Sequence, residues 1–396
     1  MDKPKAANDL AAELDRCVKC GMCLPECPTY RLAGNENESP RGRVALIEGL
    51  VQGRLQADAP LLRHLDSCLG CRRCERVCPS QVRYGHLIDQ ARGLLPRQRA
   101  ARWAGWIRHP ALLNWGTAVA RALPTAMSRP FGPLHRLHEI ACALPATQAA
   151  PAPGDYPPAS APARGRVGLF PGCVGAAQQG GALHATVRLL RHAGYAVTIP
   201  AAAGCCGALA QHAGDAAGAA RLAAANRSAF DGKLDAVVSI ASGCGNQLDS
   251  YDPPLAAAHR DICRFLLEHG DLAAADFAPL PQRALLHTPC SVENVYRGAD
   301  WARRLLALIP DLQIEAVGEA GQCCGAAGDY MLRHADTAAR LRQPILDQVG
   351  AVPDALLLTS NIGCAMHLAH GLRQNGSEVE VLHPVELLAR QLKPTP

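Results

Sequence analysis

The chain has 396 residues, of which 18 are cysteine, and its formal net charge is +5. This length predicts two or three domains with hydrophobic cores of their own, so the cysteines are not needed as staples for a small disulfide scaffold. A hydrophobic content of 48% excludes a disordered chain, and an aromatic content of 4% with so small a net charge argues against a nucleic-acid partner.

The first residues lack the apolar run and the small-residue cleavage site of a secretory signal, so we expect a cytoplasmic protein. No run of about 18 apolar residues occurs, and no transmembrane segment is predicted. In a reducing compartment, clustered cysteines indicate metal or redox chemistry more often than disulfides.

Eight cysteines near the N-terminus form two runs of the pattern C-x2-C-x2-C-x3-C-P. In bacterial ferredoxins with this pattern, three close cysteines hold one [4Fe–4S] cluster and the fourth ligates the other cluster. A structural zinc module is the alternative, but its ligand pairs usually lie a dozen or more residues apart. We therefore predict two [4Fe–4S] clusters. The first would be held by Cys17, Cys20, Cys23 and Cys78, and the second by Cys68, Cys71, Cys74 and Cys27.

The segment between the two runs is long for a compact ferredoxin built from β-hairpins. Its residues Arg43–Val51 have apolar positions that suit a helix better than a short strand. The sequence thus predicts a helical two-cluster ferredoxin domain over residues 1–98.

Residues 99–144 are predicted to form a basic helical extension. Eight arginines in 91–140 accompany one acid, Glu139, and three tryptophans are interleaved. These residues are Arg92, Arg97, Arg99, Arg102, Arg108, Arg121, Arg129 and Arg136, with Trp103, Trp106 and Trp115. One interpretation is an amphipathic surface for the membrane face or an acidic partner. The other is an extension whose tryptophans pack on the ferredoxin domain while its arginines stay solvated.

Residues 145–166 contain six prolines and no apolar periodicity, which predicts an extended linker.

The remaining chain carries a four-cysteine pattern twice. An apolar run leads to a cysteine, a Cys-Cys-Gly sequence follows, and a second apolar run leads to another cysteine. The first copy contains Cys173, Cys205, Cys206 and Cys244, and the second contains Cys290, Cys323, Cys324 and Cys364. From the first cysteine to the pair there are 32 and 33 positions in the two copies. We predict two similar domains, 167–270 and 271–396, related by a pseudo-twofold.

Each copy alternates apolar strands with helical segments such as Leu183–His192 and Ala216–Phe230, which predicts an α/β domain with a parallel sheet. The fold class of the whole chain is therefore α+β multidomain. Since ligand sites in parallel sheets lie beyond the carboxyl ends of the strands, the four cysteines of each copy should converge. His287 and His367 lie within three residues of a patterned cysteine, whereas Cys142 and Cys263 fit no pattern and are expected to be ordinary thiols.

Three stretches around the ferredoxin runs resemble the glycolate oxidase iron-sulfur subunit family. They are Cys17–Arg31, the sequence SPRGR at Ser39–Arg43, and Leu65–Ser80. That family also carries two CCG domains after its ferredoxin domain, so the resemblance covers nearly the whole chain. Related architectures are the anaerobic glycerol-3-phosphate dehydrogenase C subunit, the lactate-utilisation iron-sulfur proteins and the heterodisulfide reductase B subunit.

The resemblance implies the non-flavin subunit of a glycolate dehydrogenase complex, in which FAD-containing partner subunits oxidise glycolate to glyoxylate. Electrons would pass through this chain toward the quinone pool, and the chain would not oxidise glycolate alone. The sequence contains no G-x-G-x-x-G after a strand and no G-x-x-x-x-G-K-[ST], which agrees with FAD being bound only by the partner. The protein would be cytoplasmic or peripheral on the inner face of the cell inner membrane.

The chain departs from the heterodisulfide reductase branch, in which five cysteines hold an unusual cluster at this site. Gln247 and His367 stand here in place of the extra cysteine, so each site has at most four thiolates, with His367 as a candidate nitrogen ligand. A further iron–sulfur cluster, a zinc ion and a metal-free thiol site are the options. The rival functions are the iron–sulfur subunit of a D-lactate or glycerol-3-phosphate dehydrogenase, and thiol or quinone chemistry at the CCG sites themselves.

Overall fold

The helical character predicted for the N-terminal domain is confirmed. The computed structural model of the protein describes residues 10–95, 109–122, 133–143 and 148–394. Residues 10–95 contain helices and no strand. Helical residues 10–15 are followed by the helices Pro28–Ala33, Pro40–Val51, Ala59–Asp66, Arg73–Arg76 and Tyr84–Leu94, with a 3-10 turn at Glu36–Glu38.

The helix predicted between the two cysteine runs begins at the SPRGR sequence. The Ser39 side chain accepts a hydrogen bond from the Gly42 backbone nitrogen at 2.9 Å, and Pro40 takes the first helical position. Gly42 is required by close packing, because a Cβ there would lie 1.9 Å from the Glu36 carbonyl oxygen. The helix buries Val44 and Ile47 in the core of the ferredoxin domain.

The basic extension is helical where it is described, at Pro110–Ala122 and Pro133–Ala143. These two helices pack on each other and on helices of the C-terminal repeats. Trp115 is 64% exposed, and Trp103 and Trp106 lie outside the described residues. Arg92 is not a solvated side chain, because its guanidinium donates to the Leu65 and Cys68 carbonyl oxygens.

The two C-terminal repeats contain sheets in which four strands have the same order. The strands are β1 Gly154–Tyr156, β2 Gly165–Phe170, β3 Tyr195–Ile199, β4 Ala236–Ser239, β5 His259–Asp261, β6 Arg283–His287, β7 Gln313–Ala316, β8 Leu356–Thr359 and β9 Val381–Leu382. The first sheet has the order β1-β3-β2-β4-β5, in which β1 is an additional edge strand, and the second has the order β7-β6-β8-β9. Apart from β1, which is antiparallel to β3, all paired strands run parallel, as predicted.

Helices cover these sheets, and one helix of each repeat packs on a helix of the other repeat. The last helix of the chain, Pro384–Gln391, packs on Gly180–His192 of the first repeat, and Ile262–His269 packs on Trp301–Leu306 of the second. A single hydrophobic core contains residues of both sheets, so the repeats are stabilised together. The other helices are Cys173–Gln178, Ala208–His212, Ala216–Ala229, Ser242–Leu248, Leu255–Ala258, Tyr330–Arg333, Ala335–Gly350 and Ile362–Gln374, with a π-helical turn at Val292–Tyr296 and a 3-10 turn at Ala274–Asp276.

The linker interpretation of residues 145–166 is wrong for part of that segment. Gly154–Tyr156 forms strand β1 on the edge of the first sheet, and strand β2 already begins at Gly165. Proline lacks a backbone N–H and is tolerated at a sheet edge, so a proline-rich composition does not exclude an edge strand. Across the part of the chain that the structure describes, no helix is long and apolar enough to cross a membrane.

Candidate metal centres

The cysteines assigned to the second ferredoxin cluster lie together. Burial raises the pKa of Cys74 well above its usual value, and the nearby thiols Cys71, Cys68 and Cys27 raise it further. Cys27 belongs to the first run in sequence but lies beside the second run in space. This placement agrees with the crossed ligand assignment, which stays a prediction, and such a set of thiols is the donor set that an iron–sulfur cluster takes.

The cysteines assigned to the first cluster lie closer to the surface. Cys20 is exposed, whereas Cys17, Cys23 and Cys78 are partly buried and pack against one hydrophobic core. Burial raises the pKa of Cys23 to about 11, and Cys17 and Cys27 add to the rise. Cys17 and Cys23 thus contact the same core as Cys78, although they lie at opposite ends of the domain sequence.

Arg43 is buried beside the cysteines assigned to the second cluster. The alternative interpretation of this arginine as a simple surface charge is therefore wrong. Its side chain is 1% exposed, and its guanidinium donates to Glu38 Oε2 at 2.6 Å and to Ser67 Oγ at 2.9 Å. It also donates to Thr29 Oγ1 at 3.1 Å, and Thr29 Oγ1 lies 3.2 Å from Cys27 Sγ. Arg43 therefore ties the loop of Cys27 to the residue preceding Cys68.

The other arginines near the clusters form ion pairs closer to solvent. Arg41 pairs with Glu36 at 2.7 Å, and Arg72 pairs with Glu75 at 2.8 Å. Arg73 is mostly buried and donates to Glu26 at 2.6 Å.

The four cysteines of the first repeat converge, as predicted. Cys173 follows β2, Cys205 and Cys206 follow β3, and Cys244 follows β4. Hydrogen bonding to Cys205 raises the pKa of Cys173, and hydrogen bonding to Cys205 and Cys244 raises that of Cys206. Their loop is fixed by buried polar groups. Asn226 Nδ2 donates to the Cys205 carbonyl oxygen at 2.9 Å, and the Tyr251 hydroxyl donates to the Cys206 carbonyl oxygen at 2.6 Å.

The four cysteines of the second repeat also converge, and a histidine joins them. Cys324 Sγ and Cys364 Sγ are 2.9 Å apart, and Cys323 is hydrogen-bonded to both Cys290 and Cys324. The ligand atoms of His287, Cys324 and Cys364 all lie within 4.8 Å of one another. The ring of His287 is 2% exposed and its Nδ1 lies 3.0 Å from Thr359 Oγ1.

His367, the nitrogen ligand suggested by sequence, is engaged elsewhere. Its Nε2 donates to the Ala338 carbonyl oxygen at 3.1 Å, and its Nδ1 faces Arg342 Nη1 at 3.3 Å. Burial, together with the charge of Arg342, lowers the pKa of His367 to about 3. The histidine beside the thiols is instead His287, which sequence reasoning singled out but did not assign as a ligand. An alignment of the two copies would have drawn attention to this position. His287 stands three residues before Cys290, where the first copy has Phe170 three residues before Cys173.

The ferredoxin domain docks on the second repeat through the loop of Cys71. Asn294 Nδ2 donates to the Cys71 carbonyl oxygen at 2.8 Å and to the Gly321 carbonyl oxygen at 3.1 Å, two residues before Cys323. Burial raises the pKa of Cys71, and the largest contribution from another thiol is that of Cys290. Cys71 of the second ferredoxin set therefore adjoins the cysteines of the second repeat.

Ion pairs surround this contact. Arg76 pairs with Glu293 at 3.0 Å, and Glu319 pairs with Arg31 at 2.8 Å and with Arg73 at 3.3 Å. The cysteine-bearing loops of the two repeats also touch, since Ser242 Oγ lies 2.6 Å from Ser291 Oγ.

Fold and site together define a class of protein, an iron–sulfur protein with a dicluster ferredoxin domain followed by two cysteine-rich domains. The family model described as "4Fe-4S dicluster domain" matches residues 13–82, and the one described as "Cysteine-rich domain" matches residues 167–249 and 284–369. Both matches fall on the domains that carry the converging cysteines.

Curated relatives identify the particular family. The chain is 32% identical to the probable glycolate oxidase iron-sulfur subunit of Bacillus subtilis, over 95% of this chain and 93% of the relative. It is 30% identical to the glycolate oxidase iron-sulfur subunit of Escherichia coli, over 96% and 94% of the two chains. Lactate utilization protein A of Geobacillus thermodenitrificans is 27% identical over 52% of this chain and 90% of its own length. The chain belongs to the glycolate oxidase iron-sulfur subunit family.

Proposed function

We propose that this chain is the electron-transfer subunit of a glycolate oxidase complex. A partner subunit that holds FAD oxidises glycolate to glyoxylate, and this chain conducts the electrons toward the quinone pool. The proposal rests on family membership and on one structural observation, the contact of the Cys71 loop with the cysteines of the second repeat. That contact joins two cysteine sites that are far apart in sequence.

The residues of this chain hold and shield the redox groups. The two [4Fe–4S] clusters supply one-electron transfer when bound. Cys17, Cys20, Cys23 and Cys78 would hold the first, and Cys68, Cys71, Cys74 and Cys27 the second. Arg43 fixes the spacing of the two runs, and the burial of Cys27 and Cys74 excludes water from the second set.

We also infer that the two repeats are related by the predicted pseudo-twofold. Equivalent contacts occur twice between them, which supports the inference. Pro384–Gln391 packs on Gly180–His192 just as the equivalent pair, Ile262–His269 and Trp301–Leu306, packs together. A twofold rotation exchanges the members of such pairs, whereas a simple translation does not.

A related substrate is the second candidate. The likeness to lactate utilization protein A favours oxidation of lactate over oxidation of glycerol 3-phosphate. Purified complex, assayed with each of these substrates, separates the candidates. Glycolate should be oxidised with the highest kcat/KM. A higher kcat/KM for D-lactate would contradict the glycolate proposal and support the second candidate.

The experiment that tests electron transfer uses the complex with its flavin partner and the variant Cys71→Ser. Glycolate should still reduce the FAD, but electron flow to a quinone analogue should fall at least about a hundredfold, because a ligand of the connecting cluster is lost. Cys142→Ser, at an exposed cysteine outside all four sets, is the matched control. Full quinone reduction in Cys71→Ser, or glycolate oxidation by the isolated chain, would contradict the proposal.

A further inference from the structure

The two cysteine-rich repeats carry different residues at the end of the strand that precedes their first cysteine. In the first sheet Phe170 pairs with Ser239, and in the second His287 pairs with Thr359 at the same place. Both residues end the first strand of their repeat, three positions before the first cysteine. The first repeat therefore presents an apolar ring where the second presents an imidazole.

One ring nitrogen of His287 is buried and has no hydrogen-bond partner among the described residues. The Nδ1 atom of His287 lies 3.0 Å from Thr359 Oγ1, and one of the ring nitrogens lies within 4.8 Å of the sulfur atoms of Cys324 and Cys364. Nε2 is buried and makes no hydrogen bond to any described residue. A buried polar nitrogen of this kind costs about 1–3 kcal/mol unless something binds it, so it points to an absent partner.

The partner that fits is a thiophilic metal ion. Bond lengths of about 2.0 Å to nitrogen and about 2.3 Å to sulfur place the ligand atoms of a tetrahedral zinc ion roughly 3.6 Å apart. The ligand atoms of His287, Cys324 and Cys364 lie within 4.8 Å of one another, and the two sulfur atoms are 2.9 Å apart, so side-chain shifts of about 1 Å would bring all three atoms to this spacing. Cys290 and Cys323 adjoin these three groups, and either of them supplies a fourth ligand.

We propose that the second repeat holds a single divalent metal ion in a closed site of one histidine and three cysteines, with His287 as the nitrogen ligand. Four protein ligands leave no open position, which is the arrangement of a structural zinc ion. Thr359 is a positioning residue, since its hydroxyl fixes the ring orientation of His287. The ion would fix the loops against which the ferredoxin domain docks. The first repeat, with Phe170, lacks the nitrogen donor.

The test uses the full-length chain, purified without oxygen, and Zn²⁺ as the probe. The chain should bind one zinc ion, and its X-ray absorption should show one nitrogen scatterer besides three sulfurs. H287F, which introduces the residue of the first repeat, should bind zinc at least tenfold more weakly and lose the nitrogen signal. Thr359→Val should weaken binding about 10–100-fold. His367→Asn is the matched control, a buried histidine of the same repeat, and should retain the ion.

Several outcomes would overturn the site. They are an all-sulfur spectrum in the wild type, unchanged zinc in H287F, a disulfide between Cys324 and Cys364 in place of the ion, and four additional irons with sulfide. If H287F does not fold, the spectrum of the wild type alone still decides. The iron of the two ferredoxin clusters is measured in the same samples. Its loss would count against the electron-transfer proposal and not against the zinc site.

Discussion

At the scale of single residues, the ferredoxin domain depends on the charge of Arg43. This residue lies in the first turn of the helix Pro40–Val51, and its side chain is buried. Arg43 donates hydrogen bonds to oxygen atoms of four residues, which are Thr29, Glu38, His64 and Ser67. A buried charge with several partners is costly to break, because the partners that remain are left unpaired. The sequence motif SPRGR thus contains the helix cap Ser39, the closely packed Gly42 and the cation of a buried ion pair, Arg43.

Arg43→Gln should lower the stability of the ferredoxin domain by about 3 kcal/mol, because partly buried Glu38 would lose its guanidinium partner and the oxygens of Thr29 and Ser67 would lose a charged donor. Hydrogen exchange of the helix Pro40–Val51 measures this, as faster exchange of its amides. Arg41→Gln is the matched control, since Arg41 pairs with Glu36 near solvent and its loss should change exchange little. Equal exchange rates in the two variants would contradict the role of Arg43.

At the scale of elements, the C-terminal helix Pro384–Gln391 holds the repeats together through its cap. His383 accepts from the Val385 backbone nitrogen, and its Nε2 donates to the Ile240 carbonyl oxygen of the first repeat at 2.9 Å. Burial lowers the pKa of His383 to about 4. The folded protein therefore keeps this ring neutral at pH values where an unfolded chain protonates it.

Stability should fall as the pH drops from about 6.5 to about 4. In that window the unfolded chain binds a proton that folded His383 does not, so its contribution is complete above pH 6.5 and is lost toward pH 4. The loss is roughly 3 kcal/mol for this residue. Urea unfolding at several pH values measures it. His383→Asn, which keeps a cap acceptor, should have a shallower pH dependence, and an identical slope would refute the assignment.

The helix Pro110–Ala122 presents an exposed apolar stripe beside the basic segment. Leu112, Trp115 and Val119 are 47%, 64% and 37% exposed on one helix. We predict that Trp115→Ser weakens binding to vesicles of anionic lipid several-fold, because an interfacial tryptophan would be lost. Vesicle sedimentation measures this, and Val51→Ser, at an exposed apolar residue of the ferredoxin domain, is the control. Equal binding of all three proteins would leave this helix without a membrane role.

At the scale of the whole molecule, the ferredoxin domain is joined to the second repeat by polar contacts around Asn294 and by the ion pairs that surround them. Asn294 bridges the Cys71 loop and Gly321, and Arg76 donates to its side-chain oxygen at 3.3 Å. These groups lie at the proposed electron path. Loss of the bridge should therefore change transfer between the domains more than it changes either domain.

Asn294→Ala should slow reduction of a quinone analogue while flavin reduction by glycolate is unchanged. The carbonyls of Cys71 and Gly321 would lose their donor, which costs about 1–3 kcal/mol for a buried group and loosens the docking. Asn226→Ala is the matched control, because Asn226 holds the Cys205 carbonyl within the first repeat. Stopped-flow kinetics of the complex measures both steps, and equal slowing by the two variants would assign no special role to the docking contact.

The sequence by itself determined the features that rest on local spacing. The cysteine runs, the helix after Ser39, the strands that precede cysteines and the duplication of the four-cysteine pattern are all written within short windows. Helical and strand periodicity and turn chemistry act between near neighbours, so such windows are sufficient.

Only the tertiary structure decided which distant groups meet. It buried Arg43, paired β1 with β3, turned His367 toward Arg342 and brought His287 to the cysteines. It also placed Cys71 beside the second repeat rather than the first. These outcomes depend on packing between segments up to some two hundred residues apart. Two nearly identical cysteine patterns carry no local signal of which one will adjoin Cys71, because docking is set by whole surfaces.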